Sequence, residues 1–294
     1  MIDRTEPATG IVAGVGGNTA TLRAVRWAAR EADRRHLSLD LVQVLPPSRR
    51  DHVLQAPQGR AAALLEQGRH VAVAAAPDVP VRLSVVTGVA GPALVHVAER
   101  AELLVLGSRS AAGDLDLTVG RIVGHAVGRS ACPVVLVPQI WDPGAAHSGS
   151  VLVHVDGTRE SVGAVAWAAD VAERWRAPLE AIAVGARRGS EAAEQALRQR
   201  LSEAVAGATD RHPDLARHET VVWGNAAEAI LEVSRRQARM IVLCSRGYGA
   251  LTASFLGVTT QTVVRMASCP TAVLPPGVAE VWASRGARQV KEDA

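Results

Sequence analysis

Aromatic residues are scarce: the chain holds one phenylalanine, one tyrosine and six tryptophans. A platform for single-stranded nucleic acid needs successive stacking faces, so this shortage argues against that class. Lysine is scarcer still. Lys291 is the only one, and arginine supplies the remaining basic charge. The arginines are interleaved with acids, as in Arg23, Arg26, Arg30, Glu31, Asp33, Arg34 and Arg35, and the net charge is only +3. Such a face reads as solvated surface, and no nucleic-acid partner is expected. Cysteine is limited to Cys132, Cys244 and Cys269. An odd count without framework spacing excludes a disulfide scaffold and fits a reducing compartment. No apolar run approaches the ~18 residues that a membrane span needs. The opening residues MIDRTEPATG are polar and charged, unlike a signal peptide. A cytoplasmic protein without membrane contact is therefore expected. None of the nine histidines stands at zinc spacing with cysteine or a carboxylate, so no metal site is expected either.

What the chain does have is length for two domains and a repeat that fills both. Its 294 residues are 48% hydrophobic, enough for each half to bury a core of its own. Ile11-Val12-Ala13-Gly14-Val15 returns 140 residues later as Val151-Leu152-Val153-His154-Val155. Gly17 and Gly157 match at that offset, as do Trp27-Ala28-Ala29 and Trp167-Ala168-Ala169. The offset then falls to 137, pairing Leu104-Val105-Leu106 with Ile241-Val242-Leu243, Ser108-Arg109 with Ser245-Arg246, Gly120 with Gly257 and Cys132-Pro133 with Cys269-Pro270. A three-residue change is a small loop deletion within a duplication.

Within each half, strands alternate with helices, the pattern of an α/β fold with a parallel sheet. Strands are expected near 10–15, 38–45, 80–87, 102–107 and 133–138, and again near 150–155, 178–185, 217–223, 239–244 and 271–275. Helices are expected near 19–35, 56–75, 91–100 and 118–130. Gln139 to Ser150 reads as the linker, giving domains 1–140 and 141–294. Beyond Pro275-Pro276, the polar stretch from Trp282 to Ala294 is expected to be a loosely ordered tail.

Ligands of open α/β sheets bind past the carboxyl ends of the strands, where the strand order reverses. The loops after the first and fourth strands are thus the ones to read. In the first half Gly107-Ser108-Arg109-Ser110 is followed, nine residues on, by Gly120-Arg121. In the second, Cys244-Ser245-Arg246-Gly247 is followed after nine by Gly257-Val258. Each loop leads into a helix start, whose backbone N–H groups and positive dipole end suit phosphate.

The order of elements and these loops resemble the universal stress protein family over about 10–138 and 150–275. ATP-binding members of that family carry Gly, two residues, Gly, nine residues, Gly and then Ser or Thr, with an Asp just after the first strand. The resemblance implies two Rossmann-like, five-stranded sheets of the adenine nucleotide alpha hydrolase-like kind, in the order 3-2-1-4-5, with helices on both faces. It also implies that the domains pair through their final strands and that the chain forms a homo-oligomer with further protein partners. Carried over by position, the nucleotide contacts would be Asp156, Gly157, Val184, Gly224, Gly247, Gly257, Val258 and Thr259 in the second domain, and Gly107, Gly120 and Arg121 in the first. Each loop departs from the motif. The first half has Gly16 at the Asp position, Ser110 for the second glycine and Arg121 for the hydroxyl residue. The second keeps Asp156 but has Cys244 for the first glycine and Val258 for the hydroxyl. Loss of one hydroxyl-to-phosphate bond costs about 1–3 kcal/mol. Arg121 offers a guanidinium in compensation, and Thr259 and Thr260 offer displaced hydroxyls.

The remaining features are blander. Gly14-Val15-Gly16-Gly17 lacks the third glycine and the ribose-binding acid of a dinucleotide fingerprint. His154, mid-strand in an apolar run, reads as a core histidine, and Cys132 and Cys269 as small buried hydrophobes. Cys244 is a candidate redox thiol only if the helix dipole activates it. Asp156 is either a nucleoside ligand or a helix cap or Asx-turn residue. With no nucleophile–base pair or paired carboxylates, the reading is a stress-response, ATP-binding sensor or regulator with Mg2+ as companion ion, at most weakly hydrolytic. The alternative is a degenerate scaffold that acts through protein contacts alone.

Overall fold

Val, Ile and Leu dominate the strand segments, as suits strands that are covered by helices on both faces. The computed structural model describes residues 2–3, 8–47, 55–108, 120–142, 144, 149–187, 190–209, 211–245 and 256–289. It divides into two units, Met1–Trp141 and Asp142–Ala294.

Unit 1 runs β1 (Ile2–Asp3), β2 (Ile11–Gly14), α1 (Thr19–Arg35), β3 (Leu39–Leu45), α2 (Gln55–Ala75), β4 (Val81–Thr87), α3 (Ala90–Val97), β5 (Leu103–Ser108), α4 (Arg121–Arg129) and β6 (Val134–Pro138). Its strands lie side by side in the order β1-β4-β3-β2-β5-β6, with every pairing parallel. Unit 2 runs β7 (Ser150–Val155), α5 (Arg159–Trp175), β8 (Leu179–Gly185), α6 (Glu191–Thr209), β9 (Arg217–Trp223), α7 (Ala226–Gln237), β10 (Ala238–Cys244), α8 (Val258–Met266), β11 (Thr271–Leu274) and α9 (Pro276–Gln289). Its order is β9-β8-β7-β10-β11, again all parallel. The chain reverses its direction of travel across the sheet between β2 and β5, and between β7 and β10. Those gaps position the candidate sites.

The duplication extends to helix ends. Asn18 caps α1 by accepting from Thr21 N, and Thr158 caps α5 by accepting from Ser161 N. Both helices stop at a left-handed residue, His36 (φ 54°) and Arg176 (φ 50°), whose N–H returns to the last turn. Trp27 and Trp167 are both buried.

Three features depart from the sequence reading. The short edge strand β1 was not expected from a polar opening. Of the tail expected from Trp282 on, the described part to Gln289 is helical: α9 begins at Pro276, buries Val278, Ala279 and Ala283, and packs so closely that a Cβ on Gly163 of α5 would overlap the Ala279 carbonyl. Proline fits the first position of a helix, where its missing N–H costs nothing. The strands also bury two acids. Asp40 faces Arg82 (Nε–Oδ1 3.3 Å), whereas Glu180 accepts from Ser150 Oγ at 3.1 Å and from Gln237 Nε2 at 2.7 Å.

Candidate functional site

The carboxyl edge of unit 2 is built around the turn between β7 and α5. Asp156 follows the last strand residue, and its Oδ1 accepts from Thr158 N at 3.0 Å and from the Thr158 hydroxyl at 2.5 Å. This is an Asx-type turn. The helix cap itself is Thr158, so Asp156 sets the turn and leaves capping to its neighbour. The turn forces Gly157 to φ +82°, where a side chain is strained. Asp156 Oδ2 takes no hydrogen bond from any described residue, so half of the carboxylate remains available to a ligand.

Two neighbours share its field. Burial lowers the pKa of His154 below the usual imidazole value, and the Asp156 carboxylate opposes that shift, so the ring stays neutral at pH 7. Burial pushes the Cys244 thiol well above its ordinary range, and the Asp156 and Glu160 carboxylates push it further. A protonated thiol is a poor nucleophile, which weighs against a redox role for Cys244.

On the other side of the reversal, α8 starts at its N-cap Gly257 (φ −65°), and no side chain of a described residue caps its first turn. Uncapped N–H groups at a helix start are donors for an anion. Part of the loop is internally closed. Gly257 N donates to Ser245 O at 2.9 Å, and the Thr260 hydroxyl donates to Cys244 O at 2.9 Å. Thr260 is thus spent on the end of β10, while Thr259 is half-buried and makes no hydrogen bond to a described residue. Val258 is 82% exposed, which places an apolar group where the motif has a hydroxyl. Ser245 is buried, and its hydroxyl has no partner among the described residues. Sequence reading passed over Ser245, although it recurs as Ser108 in the repeat. Val184, on the β8 edge beside Asp156, packs on the core of Leu152, Ile182 and Ile241. Gly224 follows β9 at φ +133°. Gly247 lies outside the described residues. So do Arg246 and, in unit 1, Arg109 and Ser110.

Unit 1 builds the same edge differently. Gly16 supplies no carboxylate, and its carbonyl accepts from the Thr21 hydroxyl at 2.8 Å. Gly107 faces inward: a Cβ there would stand 2.6 Å from Ala20 C and 2.8 Å from Thr21 N. Its glycine is thus required by the close passage of β5 under α1. Gly120 caps α4 at φ −49° with open space around it, and Arg121 is exposed with no hydrogen bond to a described residue. Asp156, Gly157 and Val184 of unit 2 are therefore brought together at one edge, with Gly257, Val258 and Thr259 across the strand reversal. Gly107, Gly120 and Arg121 line the corresponding edge of unit 1 without an acid. Among the described residues, no three His, Cys, Asp or Glu side chains are placed to hold a metal, and no helix is long and apolar enough to cross a membrane.

Comparison with known proteins gives a consistent family. The universal stress protein family matches residues 9–138 and again 148–275. Universal stress protein Rv2005c of Mycobacterium tuberculosis is 30% identical to this chain, over 90% of the chain and 96% of that protein. Universal stress protein Rv2623 of the same organism is 29% identical, over 90% and 95%. Among solved structures, a universal stress protein from Archaeoglobus fulgidus superimposes with a TM-score of 0.73, covering 92% of this chain and 99% of that one. At 18% identity it speaks for the fold alone.

Proposed function

The chain belongs to the universal stress protein family, and we propose that within it this protein is an adenine-nucleotide sensor whose unit 2 takes ATP with Mg2+. The observation that carries the reading is Asp156. One of its oxygens is fixed by the Asx turn and the other takes no hydrogen bond from a described residue, at the strand reversal of an open α/β sheet. The start of α8 and the Ser245 hydroxyl, neither of which is bonded by a side chain of any described residue, fit a polyphosphate. In that arrangement the carboxylate orients the nucleoside, the helix start holds the phosphates, and Mg2+ arrives on phosphate oxygens and water. The three free cysteines are consistent with action in the cytoplasm. A protein partner, or self-association into a homo-oligomer, would read the nucleotide-bound state.

Calorimetric titration of the full chain with ATP and magnesium tests this. The expected result is one site per chain, weakened about tenfold or more in Asp156→Asn, because a bond to a charged acceptor is worth roughly 1.5–3 kcal/mol. Asparagine keeps the Oδ1 acceptor of the turn, so the loss would belong to the ligand and not to the fold. A second reading, a scaffold that binds proteins alone, is favoured by the exposed Val258 and by the commitment of Gly257 N–H to Ser245. Absence of heat at millimolar ATP would decide for it.

A further inference from the structure

The outer strands of the two units are finished differently. In unit 1, β4 is covered by β1, with Ile2 opposite Ser84 and Asp3 opposite Val85. In unit 2, β9 is the edge strand, and no described strand lies on its outer side. The sequence holds a reason. At the 140-residue offset of the first strands, Ile2-Asp3 becomes Asp142-Pro143, and proline has no N–H to give to a ladder.

Backbone geometry fixes which groups of β9 face outward. Leu179 N donates to Ala216 O, and Gly224 N donates to Gly185 O, so the even-numbered residues turn their peptide groups to β8. Direction alternates along a strand, so Arg217, Glu219, Val221 and Trp223 turn their N–H and C=O groups outward. The side chains of Arg217 and Glu219 lie on one face, two residues apart. Both residues are exposed, and neither forms a hydrogen bond or ion pair with a described residue. Their counterparts in the register of unit 1 are Val81 and Leu83. The charges thus stand on the edge that lacks a covering strand.

Charge on an edge ordinarily keeps other strands away. Opposite signs at this spacing are more selective. An antiparallel copy of β9, inverted about His218, sets Arg217 against the partner's Glu219 and Glu219 against the partner's Arg217. These residues face outward on both strands, so each pair also exchanges two main-chain hydrogen bonds. Inversion about Glu219 would oppose two carboxylates. Inversion about Thr220 would set Arg217 against the partner's Trp223 and Glu219 against the partner's Val221. Opposite charges directly across an antiparallel pair stabilise it, and like charges destabilise it.

We propose that the outer edge of β9 pairs with β9 of a second copy of this chain, as an antiparallel ladder centred on His218. The interface is isologous: one patch serves both copies, so association closes at a dimer. It gives the homo-oligomer named above a surface, and it stands whether or not unit 2 takes a nucleotide.

Sedimentation of the full chain over a range of concentrations tests this, with melting curves to confirm folding. The unaltered protein is expected to dimerise. Arg217→Glu and Glu219→Arg each set like charges across both pairs and should raise the dimer dissociation constant about tenfold or more. The double variant Arg217→Glu/Glu219→Arg restores opposite charges and should return to within about threefold of the unaltered protein. Cross-linking reads the register. His218→Cys brings two thiols together at a Cα separation of about 4.5 Å, within disulfide reach, and oxidised glutathione should convert it to a covalent dimer. Thr220→Cys stands about 14 Å from its own copy along the ladder. It should cross-link no more than the unaltered protein, whose three free cysteines set the background. A monomer at every concentration overturns the proposal. So does a dimer indifferent to both reversals, or one that the double variant fails to restore. Cross-linking through Thr220→Cys in place of His218→Cys overturns the register and with it the charge pairing.

Discussion

The first loops of the two units come from one ancestral turn and differ in what fixes them. In unit 1, Gly16-Gly17-Asn18 is held by the Thr21 hydroxyl on Gly16 O and by Asn18 on Thr21 N, and Gly17 keeps negative φ. In unit 2, the Asp156 carboxylate draws in the N–H and hydroxyl of Thr158, and Gly157 is driven to φ +82°. One acid thus changes the backbone at an identical glycine. The difference teaches that a matching glycine in a repeat is no evidence of matching geometry, and that unit 2 retains the polar anchor while unit 1 has replaced it with self-contained bonding.

The largest expected effect tests the glycine on which α1 rests just beyond that loop in unit 1. Gly107→Ala should destabilise unit 1 by about 1–3 kcal/mol, because the new methyl meets Ala20 backbone that has no rotamer to yield. Hydrogen exchange that reports β2 and β5 separately from unit 2 would measure it. ATP affinity should stay unchanged, since the binding edge belongs to unit 2. A loss of affinity without loss of stability would instead make Gly107 a ligand contact and break the proposed division between the units.

A smaller effect bears on the turn itself. Gly157→Ala should cost about 1–2 kcal/mol, the penalty of a left-handed backbone for a residue with Cβ. Gly17→Ala has negative φ and no atom within 4 Å of the new methyl, and it should be near neutral. Paired thermal unfolding of the two variants checks this. Equal costs would mean that the Asx turn is not what separates the loops.

Much of this was legible beforehand because it rests on local pattern. Strand and helix spans read from apolar runs and helical spacing agree closely with the structure, since both faces of each sheet are covered and the strands carry few polar interruptions. What escaped depends on contacts between distant residues. Among its described side chains α9 buries Val278, Ala279 and Ala283, and Gly163 lets its backbone approach α5 closely. Asp40 and Glu180 sit in strands against propensity because Arg82, Ser150 and Gln237 meet them there. At the site, Asp156 stood out as a carboxylate after a strand. The closing of Thr260 on Cys244 O, and the seating of Trp223 on Gly185, are tertiary facts that spacing does not encode.

The smallest effect isolates the one titrating difference within the paired first strands. Gly14 in β2 corresponds to His154 in β7, and burial depresses the pKa of His154 in the folded state. The unfolded chain, with an imidazole pKa of about 6.5, then binds more protons than the folded one as pH falls. Stability must therefore rise with pH across that window. Its full value is present above about pH 6.5 and is lost as pH falls from there through the folded pKa. The eight other histidines contribute slopes of their own, so the measurement is a difference: chemical denaturation of unit 2 from pH 7.5 to 5, with and without His154→Gln. The variant should lose less stability toward low pH, whereas unit 1 should show the same slope in both proteins. Identical slopes for unit 2 would mean that Asp156 fully compensates the burial of the imidazole. The carboxylate would then be engaged with His154 and less free for a nucleotide than its hydrogen bonds imply.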